Sequence, residues 1–331
     1  MTRYDKGAAT RRSMLGGGLA FAALPASRAT AQADVARLVV PFPPGGPADT
    51  IARMFVDSQL GDLYGRRLLV DNKPGAGGIV GTQFVARAPA DGNSFLLTPT
   101  FFLQNAIAHE KPGYDPIKDF VAVAPIGTTY LVFVVTAQNP ATNLAEFIAD
   151  ARKRGDQVSY ASAGSGTSTH LAGVALNAAA SLNMNHVPYK GEAPAFQDFL
   201  GGHVTCGFFA ISTVQPQLDS GRIKVLAVAR PQRQPEVPDV PTLGEAGIDH
   251  PVFRTTGWFG LFAPAGTPPA LVQRMGAGVA QILRKPELDR RLREYGIRPW
   301  TEATEDFPAL LERDYRVWKD IIRAADVKLS F

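Results

Sequence analysis

Cysteine is almost absent from this chain: Cys206 is the single one in 331 residues. No intrachain disulfide can form, and a zinc site built from several closely spaced thiolates is excluded. After the first 33 residues, no run reaches the roughly 18 apolar residues of a membrane-spanning helix. The chain is 45% hydrophobic and 19% charged, a globular balance that excludes disorder and a collagen-like repeat. At this length we expect a large core, divided between two domains.

Most of the chain also lacks a surplus of charge. The formal net charge is +4, but five of the 34 basic residues and one of the 30 acidic residues precede residue 34, which leaves 29 of each in the remainder. A nucleic-acid partner needs a basic face, so nucleic acid is excluded. Attraction for an anionic ligand must come from local groups, and we expect its affinity to depend only weakly on salt.

The first 33 residues have the features of an export signal. A charged start ends in Arg11-Arg12, an apolar run covers 13–24, and small residues that fit a cleavage site follow. The apolar run is shorter than the roughly 20 residues that span a bilayer. The arginine pair before Ser13-Met14-Leu15 indicates a twin-arginine signal, with an ordinary Sec signal as the alternative. No cysteine follows to carry a lipid, so we predict a soluble periplasmic protein without a lipid anchor.

Short apolar runs alternate with amphipathic segments in the rest of the chain. Runs such as 37–42 and 131–136 predict strands. Segment 143–154 has one apolar face and is followed by Gly155, which predicts a helix and its end. The alternation predicts an α/β fold with largely parallel strand pairing. We also expect a polar linker over 230–240 and a last helix over 304–325.

Three glycine-rich turns each lead from a strand into a helix, at 41–49, 72–78 and 161–168. Glycine lets the backbone approach a ligand closely. A helix start offers unpaired N–H groups and a partial positive charge to an anion. One such turn is commonly a simple tight connection, but three together indicate a binding site for a carboxylate or a phosphate.

Known nucleotide and hydrolase motifs do not fit these turns. No glycine is followed by the lysine and hydroxyl residue of a phosphate-binding loop. The third glycine of a dinucleotide fingerprint is replaced by Val80 in one turn and by Thr169 in another. A nucleophile elbow around Ser165 would need glycines where Ala163 and Thr167 stand.

One enzyme hypothesis stays open, because Ser165 and His170 are close enough in sequence to form a Ser–His pair. The alternative, which we favour, is a capped or packed histidine in the first turn of a helix. The other histidines have no metal-ligand spacing, so we expect neither a metal nor a cofactor.

The glycine turns and several further segments resemble the Bug family, the periplasmic solute-binding proteins of tripartite tricarboxylate transporters. The resemblance covers essentially the whole chain after the export signal, in the family's order. It is carried by residues 40–46, 72–78, 89–92, 162–171, 186–191, 240–247 and 263–268.

The resemblance implies a two-lobed periplasmic-binding-protein fold of type II with a ligand cleft between the lobes. Lobe 1 would comprise residues 34–128 and 232–331, and lobe 2 residues 129–231. It further implies a monomer without enzymatic activity that holds a small organic acid and delivers it to a membrane permease. A sensor that captures the ligand for a signalling partner is an alternative, and a Ser/His hydrolase is a second one.

The resemblance also implies ligand contacts from the three turns. The expected binding residues are Phe42, Gly45, Gly46, Asp49, Ala76, Gly77, Ser162, Gly166, Thr167 and Ser168. Asp49 would bind a hydroxyl or amino group of the ligand, or would be an ordinary helix N-cap. Tyr189 and Lys190 are expected to support a loop.

One segment departs from the family pattern. The family usually has Asp after the stretch that ends at Val204, whereas this chain has Thr205 and then the apolar Phe208-Phe209-Ala210. We expect this segment to form an apolar cleft wall that favours an apolar or aromatic acid.

Overall fold

Strands and helices alternate along the chain in the computed structural model, which describes residues 35–301, 306–325 and 327–329. The predicted export signal lies outside the described residues. The strands are β1 (Val35–Val40), β2 (Arg67–Asn72), β3 (Ser94–Pro99), β4 (Phe120–Thr129), β5 (Leu131–Thr136), β6 (Ser159–Ser162), β7 (Asn185–Pro188), β8 (Cys206–Ala210), β9 (Ile223–Ala229), β10 (Gly257–Pro264) and β11 (Arg298–Pro299).

The described helices include one over most of each predicted segment, 143–154 and 304–325. They are α1 (Pro47–Asp57), α2 (Leu60–Tyr64), α3 (Ile79–Ala86), α4 (Phe101–Ala108), α5 (Leu144–Arg154), α6 (Ser168–Ala180), α7 (Glu192–Leu200), α8 (Ile211–Val214), α9 (Pro269–Leu283), α10 (Pro286–Glu294) and α11 (Phe307–Ala324). The predicted helix over 143–154 is confirmed as α5, which Asn143 caps by accepting the Glu146 N–H at 2.9 Å. No helix of the described residues combines the length and the apolar character needed to cross a membrane.

Two mixed sheets organise the strands. The first has the order β11-β4-β10-β3-β1-β2, and the second the order β7-β6-β8-β5-β9. In each sheet one strand lies between two parallel neighbours: β1 between β2 and β3, and β6 between β7 and β8. In open α/β sheets, ligands bind beyond the carboxyl end of a strand that has parallel neighbours on both sides, because the strand order reverses there. The turns after β1 and β6 are therefore the places where this fold is suited to bind a ligand.

The prediction of largely parallel pairing is wrong. Strands β10 and β11 run antiparallel to their partners in the first sheet, and β5 does so in the second. These antiparallel pairs arise because the chain crosses from one sheet to the other. Strand β4 ends in the first sheet at Thr129, and β5 begins in the second at Leu131. The α/β class with two lobes is nevertheless confirmed.

Each sheet is covered by an apolar cluster on both faces. In β10, Leu261 packs on one face and Phe262 on the other, and in β5, Phe133 and Val132 do the same. Strands buried on both faces read as continuous apolar runs rather than as alternating patterns. This explains the unbroken apolar sequence at 131–135.

The carboxyl-terminal half contacts both sheets. In α11, Phe307 and Leu310 pack with the first sheet, whereas Trp318 packs in the core of the second. Leu243 and Phe253, which follow the predicted linker, also pack in that second core. The exact lobe boundaries stay a prediction, and these contacts favour a second crossing near residue 255 rather than at 231.

Candidate ligand cleft

A cleft opens where the turns after β1 and β6 face each other, with residues of both sheets in its walls. It holds about 880 Å³ of space free of protein atoms, part of which is open to solvent. The walls comprise Phe42, Pro43, Gly46, Pro47, Ala48, Pro99, Thr100, Phe101, Thr129, Tyr130, Leu131, Ser168, Ala172, Glu192, Ala193, Ala210, Ala229, Val252, Thr255, Gly257, Trp258, Phe259 and Trp318.

Four helices begin at this cleft: α1 and α4 beside the first sheet, and α6 and α7 beside the second. Their N-cap residues are Gly46, Thr100, Thr167 and Gly191. In α1 the first helical hydrogen bond runs from the Thr50 N–H to the Gly46 oxygen at 3.0 Å. The amides that precede it have no helical acceptor, and the helix dipoles add partial positive charge. The cleft can therefore hold an anion without a cationic side chain.

The lining side chains are mostly apolar. Among the lining residues that the structure describes there is no Lys, Arg, His or Asp, and the single acid is Glu192. Phe42, Phe101, Trp258 and Trp318 supply aromatic surface. An anion bound here would be held by backbone dipoles and hydroxyls, and an apolar ligand body would gain from contact with the rings.

One buried polar atom in the wall of the cleft, and another in contact with a wall residue, lack a protein partner in the described part of the chain. Thr129 lines the cleft and is 7% exposed, and its Oγ has no hydrogen-bond partner among the described residues. Ser168 donates to the Gln104 Oε1 at 2.8 Å, while the Gln104 Nε2 is likewise unpaired. Buried polar atoms without a partner are rare in proteins. The Thr129 hydroxyl, which lines the cleft, is available to a bound ligand or its water.

Asp49 stabilises the turn after β1 through hydrogen bonds and does not line the cleft. It is 3% exposed, and its carboxylate accepts hydrogen bonds from the Gly45 N–H (2.9 Å), the Arg53 guanidinium (2.9 and 3.0 Å) and the Asn72 amide (3.0 Å). Burial alone would raise the pKa of Asp49, but these hydrogen bonds outweigh it and lower the pKa. The alternative of a helix N-cap is wrong, because Gly46 is the N-cap and Pro47 is the first helical residue.

Replacing Asp49 should therefore loosen the turn. We expect Asp49→Ala to lower the free energy of unfolding at pH 7 by about 1–3 kcal/mol, because the Gly45 and Asn72 donors lose their acceptor. The pKa of Asp49 is depressed in the folded state. Its contribution is therefore fully present above the unfolded pKa of about 4 and is lost as the pH falls from there through the lower pKa of the folded protein.

Urea unfolding at pH 7 and at pH 3 measures both effects, and the difference in stability between the two proteins should be smaller at pH 3. The control is Asp57→Ala at the other end of α1, where the side chain is 60% exposed. Equal stability of Asp49→Ala and wild type at pH 7 would refute this role.

Three of the four residues predicted in the turn after β6 hold the turn itself. The Ser162 Oγ hydrogen-bonds the His186 Nε2 at 2.6 Å, and the Thr167 hydroxyl donates to the Gly164 oxygen at 2.6 Å. The Gly166 N–H donates to the His170 Nδ1 at 3.1 Å. The fourth residue, Ser168, is the one that lines the cleft.

The glycine-rich turn at 72–78 forms a contact between the two halves of the molecule. Ala76 and Gly77 do not line the cleft; the Gly77 oxygen accepts from the Asn105 Nδ2 at 2.8 Å. Gly77 has φ +62°, and a Cβ there would lie 3.0 Å from the Ser165 oxygen. Gly164 faces Gly77 in the same contact. This turn thus closes against the turn after β6.

His170 is engaged within the fold. Its Nδ1 accepts from Gly166, and its ring stacks on His186 with 4.0 Å between centroids. Burial, aided by His109, lowers the pKa of His170 to about 4. No hydrogen bond of the described residues joins Ser165 to His170, so the geometry gives the Ser–His pair no support.

The segment after Val204 is not the wall that we expected. Phe208 and Phe209 lie in the cores on the two faces of the second sheet, and Thr205 pairs with Ser159, so that Ala210 alone lines the cleft. The apolar wall comes from aromatic residues elsewhere. As expected, Tyr189 supports its loop, by donating to the Asp198 Oδ2 at 2.6 Å.

Several lining residues could not be identified from the sequence. Thr129 and Tyr130 stand at the crossing between the sheets, and Trp258 and Trp318 come from distant parts of the chain. Glu192 could have been identified from the local sequence, because it follows a glycine and begins a helix, as the residues of the glycine-rich turns do. In the described part of the chain, no cluster of His, Cys, Asp and Glu could hold a metal.

Comparison with known proteins agrees with this geometry. A family model described as "Tripartite tricarboxylate transporter family receptor" matches residues 51–327. The periplasmic binding protein BugD is 32% identical with a TM-score of 0.84, and the match covers 89% of this chain and 98% of BugD. The Bug-family resemblance and the fold that it implied are thereby confirmed.

Two further solved structures contain a ligand. MatC from Rhodopseudomonas palustris, with bound malate, is 32% identical with a TM-score of 0.81, and the match covers 87% of this chain and 98% of MatC. R. palustris Rpa4515, with adipate, is 30% identical with a TM-score of 0.83, covering 90% of this chain and 98% of Rpa4515.

Proposed function

Because the chain belongs to the tripartite tricarboxylate transporter receptor family, we propose that it is an extracytoplasmic solute-binding protein that captures a small organic carboxylate between its lobes. The observation that carries the proposal is the convergence of four helix starts on a cleft without a lining cation. A carboxylate can accept several N–H bonds there without a buried counter-ion. The malate and adipate found in similar proteins are ligands of this class.

In this proposal the predicted residues divide into two groups. Phe42, Gly46 and Ser168 touch the ligand, together with the unpaired hydroxyl of Thr129. The remaining residues give the turns their shape or form the contact that closes the lobes. They are Gly45, Asp49, Ala76, Gly77, Ser162, Gly166 and Thr167.

The position of the site can be tested by filling the cleft. Ala193 lies in the wall and is partly accessible, so Ala193→Phe should reduce carboxylate affinity at least about 10-fold by occupying ligand space. Isothermal titration calorimetry measures the change. The control is Ala178→Phe on the exposed side of α6. Unchanged affinity in Ala193→Phe would place the ligand elsewhere.

The aromatic walls favour an acid with an apolar body. We expect a monocarboxylate such as 3-phenylpropionate to bind more tightly than citrate or malate. The additional carboxylates of citrate and malate would lie against the aromatic walls, which offer a charged group few hydrogen-bond donors. Calorimetry on the same protein preparation compares the three compounds. Citrate or malate binding more tightly than any monocarboxylate would contradict this preference.

The cellular role follows from the family. We propose that the protein is exported by its amino-terminal signal, acts as a monomer without a lipid anchor and delivers its ligand to the membrane permease of a tripartite transporter. It needs no cofactor and catalyses no reaction. A sensor would use the same closure of the lobes. Retention of the permease subunits on the immobilised, ligand-loaded protein would support transport, whereas retention of a signalling protein instead would support sensing.

A further inference from the structure

Glu192 is the one acidic side chain in the wall of the cleft. It is the first residue of α7 and is 8% exposed. Its Oε1 accepts the Ala210 N–H at 2.7 Å, which joins α7 to the end of β8. The hydroxyl of Thr213 is also near the carboxyl and stabilises its charge, but it forms no hydrogen bond of normal length. In the described part of the chain, the Ala210 N–H is the one hydrogen-bond donor within normal distance of this carboxylate.

No cation of the described residues pairs with Glu192. The lining residues include neither Lys nor Arg, and no salt bridge to Glu192 is found in the described part of the chain. Arg230 lies behind the ring of Tyr130 and donates to the Thr256 hydroxyl at 2.8 Å, outside the wall. An unpaired buried carboxylate is unfavourable, and burial raises the pKa of Glu192 to about 6.

A purely structural role does not require this charge. Glutamine has nearly the same shape, and its amide oxygen can also accept the Ala210 N–H. A carboxylate in the wall also repels a carboxylate ligand in the same closed space. The charge is an advantage where the ligand brings a positive group to Glu192.

On the basis of the proposed function, we infer that Glu192 pairs with a protonated amine, and that the cleft selects amino-bearing carboxylates with an apolar body. In this arrangement the ligand carboxylate binds at the helix starts, its apolar body packs on the aromatic walls, and its ammonium group pairs with Glu192. Each part of the ligand then meets a group of complementary character.

The test uses pairs of ligands that differ only by an amine. Phenylalanine is compared with 3-phenylpropionate, leucine with 4-methylpentanoate, and 4-aminomethylbenzoate with 4-methylbenzoate, by calorimetry at pH 7.5. In at least one pair, wild type should bind the amine about 10- to 100-fold more tightly, the range expected for a hydrogen bond to a charged group. Glu192→Gln should remove this advantage and leave the affinity for the amine-free partner unchanged or improved.

The control is Glu146→Gln, which changes a glutamate in the first turn of α5, outside the cleft. It should preserve the advantage of the amine. If the amine-free acids bind wild type as tightly as their partners, or if Glu192→Gln keeps the difference, the inference is wrong and the proposed function stands. If no carboxylate of either kind binds wild type, both are wrong.

Discussion

Gly164→Ala should weaken carboxylate binding by about 100-fold while the protein stays folded. Gly164 belongs to the turn after β6 and has φ +131°, and a Cβ there would lie 2.9 Å from the Gly77 Cα and 3.2 Å from the Gly77 nitrogen. Both atoms are backbone atoms of the opposing lobe, so no side chain can rotate away. A closed state made less favourable by about 2.7 kcal/mol lowers the apparent affinity by this factor.

The control variant, Gly202→Ala, distinguishes an effect on lobe closure from an effect of backbone strain. Gly202 has φ +76°, and a Cβ there would meet nothing within 4 Å. Gly202→Ala therefore introduces a residue with positive φ, at a cost of about 1–3 kcal/mol, without a contact between lobes. Calorimetry should find near wild-type affinity for Gly202→Ala and a large loss for Gly164→Ala. Equal affinities of the two variants would refute the role of this contact in closure.

Mild acid should destabilise the protein through its buried histidines. Burial and His109 lower the pKa of His170 to about 4, and burial and His170 lower the pKa of His186 to about 3. The unfolded chain takes up these protons near pH 6.5, before the folded chain does. Stability is thus complete above about pH 6.5 and falls as the pH drops towards 4. His170 alone should remove about 2 kcal/mol from the free energy of unfolding between pH 7.5 and 5.

Urea unfolding at pH 7.5 and 5 measures this loss. His170→Asn keeps an acceptor for the Gly166 N–H but cannot become protonated, so its stability should change less with pH. The control is His203→Asn, at an exposed position, which should retain the wild-type dependence. An identical pH dependence in His170→Asn and wild type would show that His170 is not responsible.

Local signals were sufficient to predict much of the fold. Asn143 and Gly155 bound α5 as expected, because capping depends on residues within one turn. The α/β class followed from the alternation of patterns, and the Bug resemblance provided the two lobes. The direction of pairing was wrong, because it depends on where the chain crosses between the sheets, and this is not a local property.

The site was predicted less completely, for the same reason. The turn after β1 was identified from its glycines, but the role of Asp49 depends on Arg53 and Asn72 and could not be read from the turn alone. Thr129 and Trp318 lie far apart in the sequence and reach the cleft only through the packing of two sheets and α11. Gly77 and Gly164 form one contact between the lobes, so the role of each depends on the other and is not visible in its own stretch of sequence.

The central claim is that the cleft binds an organic acid, and a thermal-shift measurement tests it most directly. The melting temperature of the purified protein is compared with and without mono-, di- and tricarboxylates, including the amino-bearing acids above. A ligand at 100 times its dissociation constant should stabilise the protein by about 2.7 kcal/mol. We expect a clear rise in melting temperature with at least one apolar carboxylate. No rise with any organic acid would contradict it.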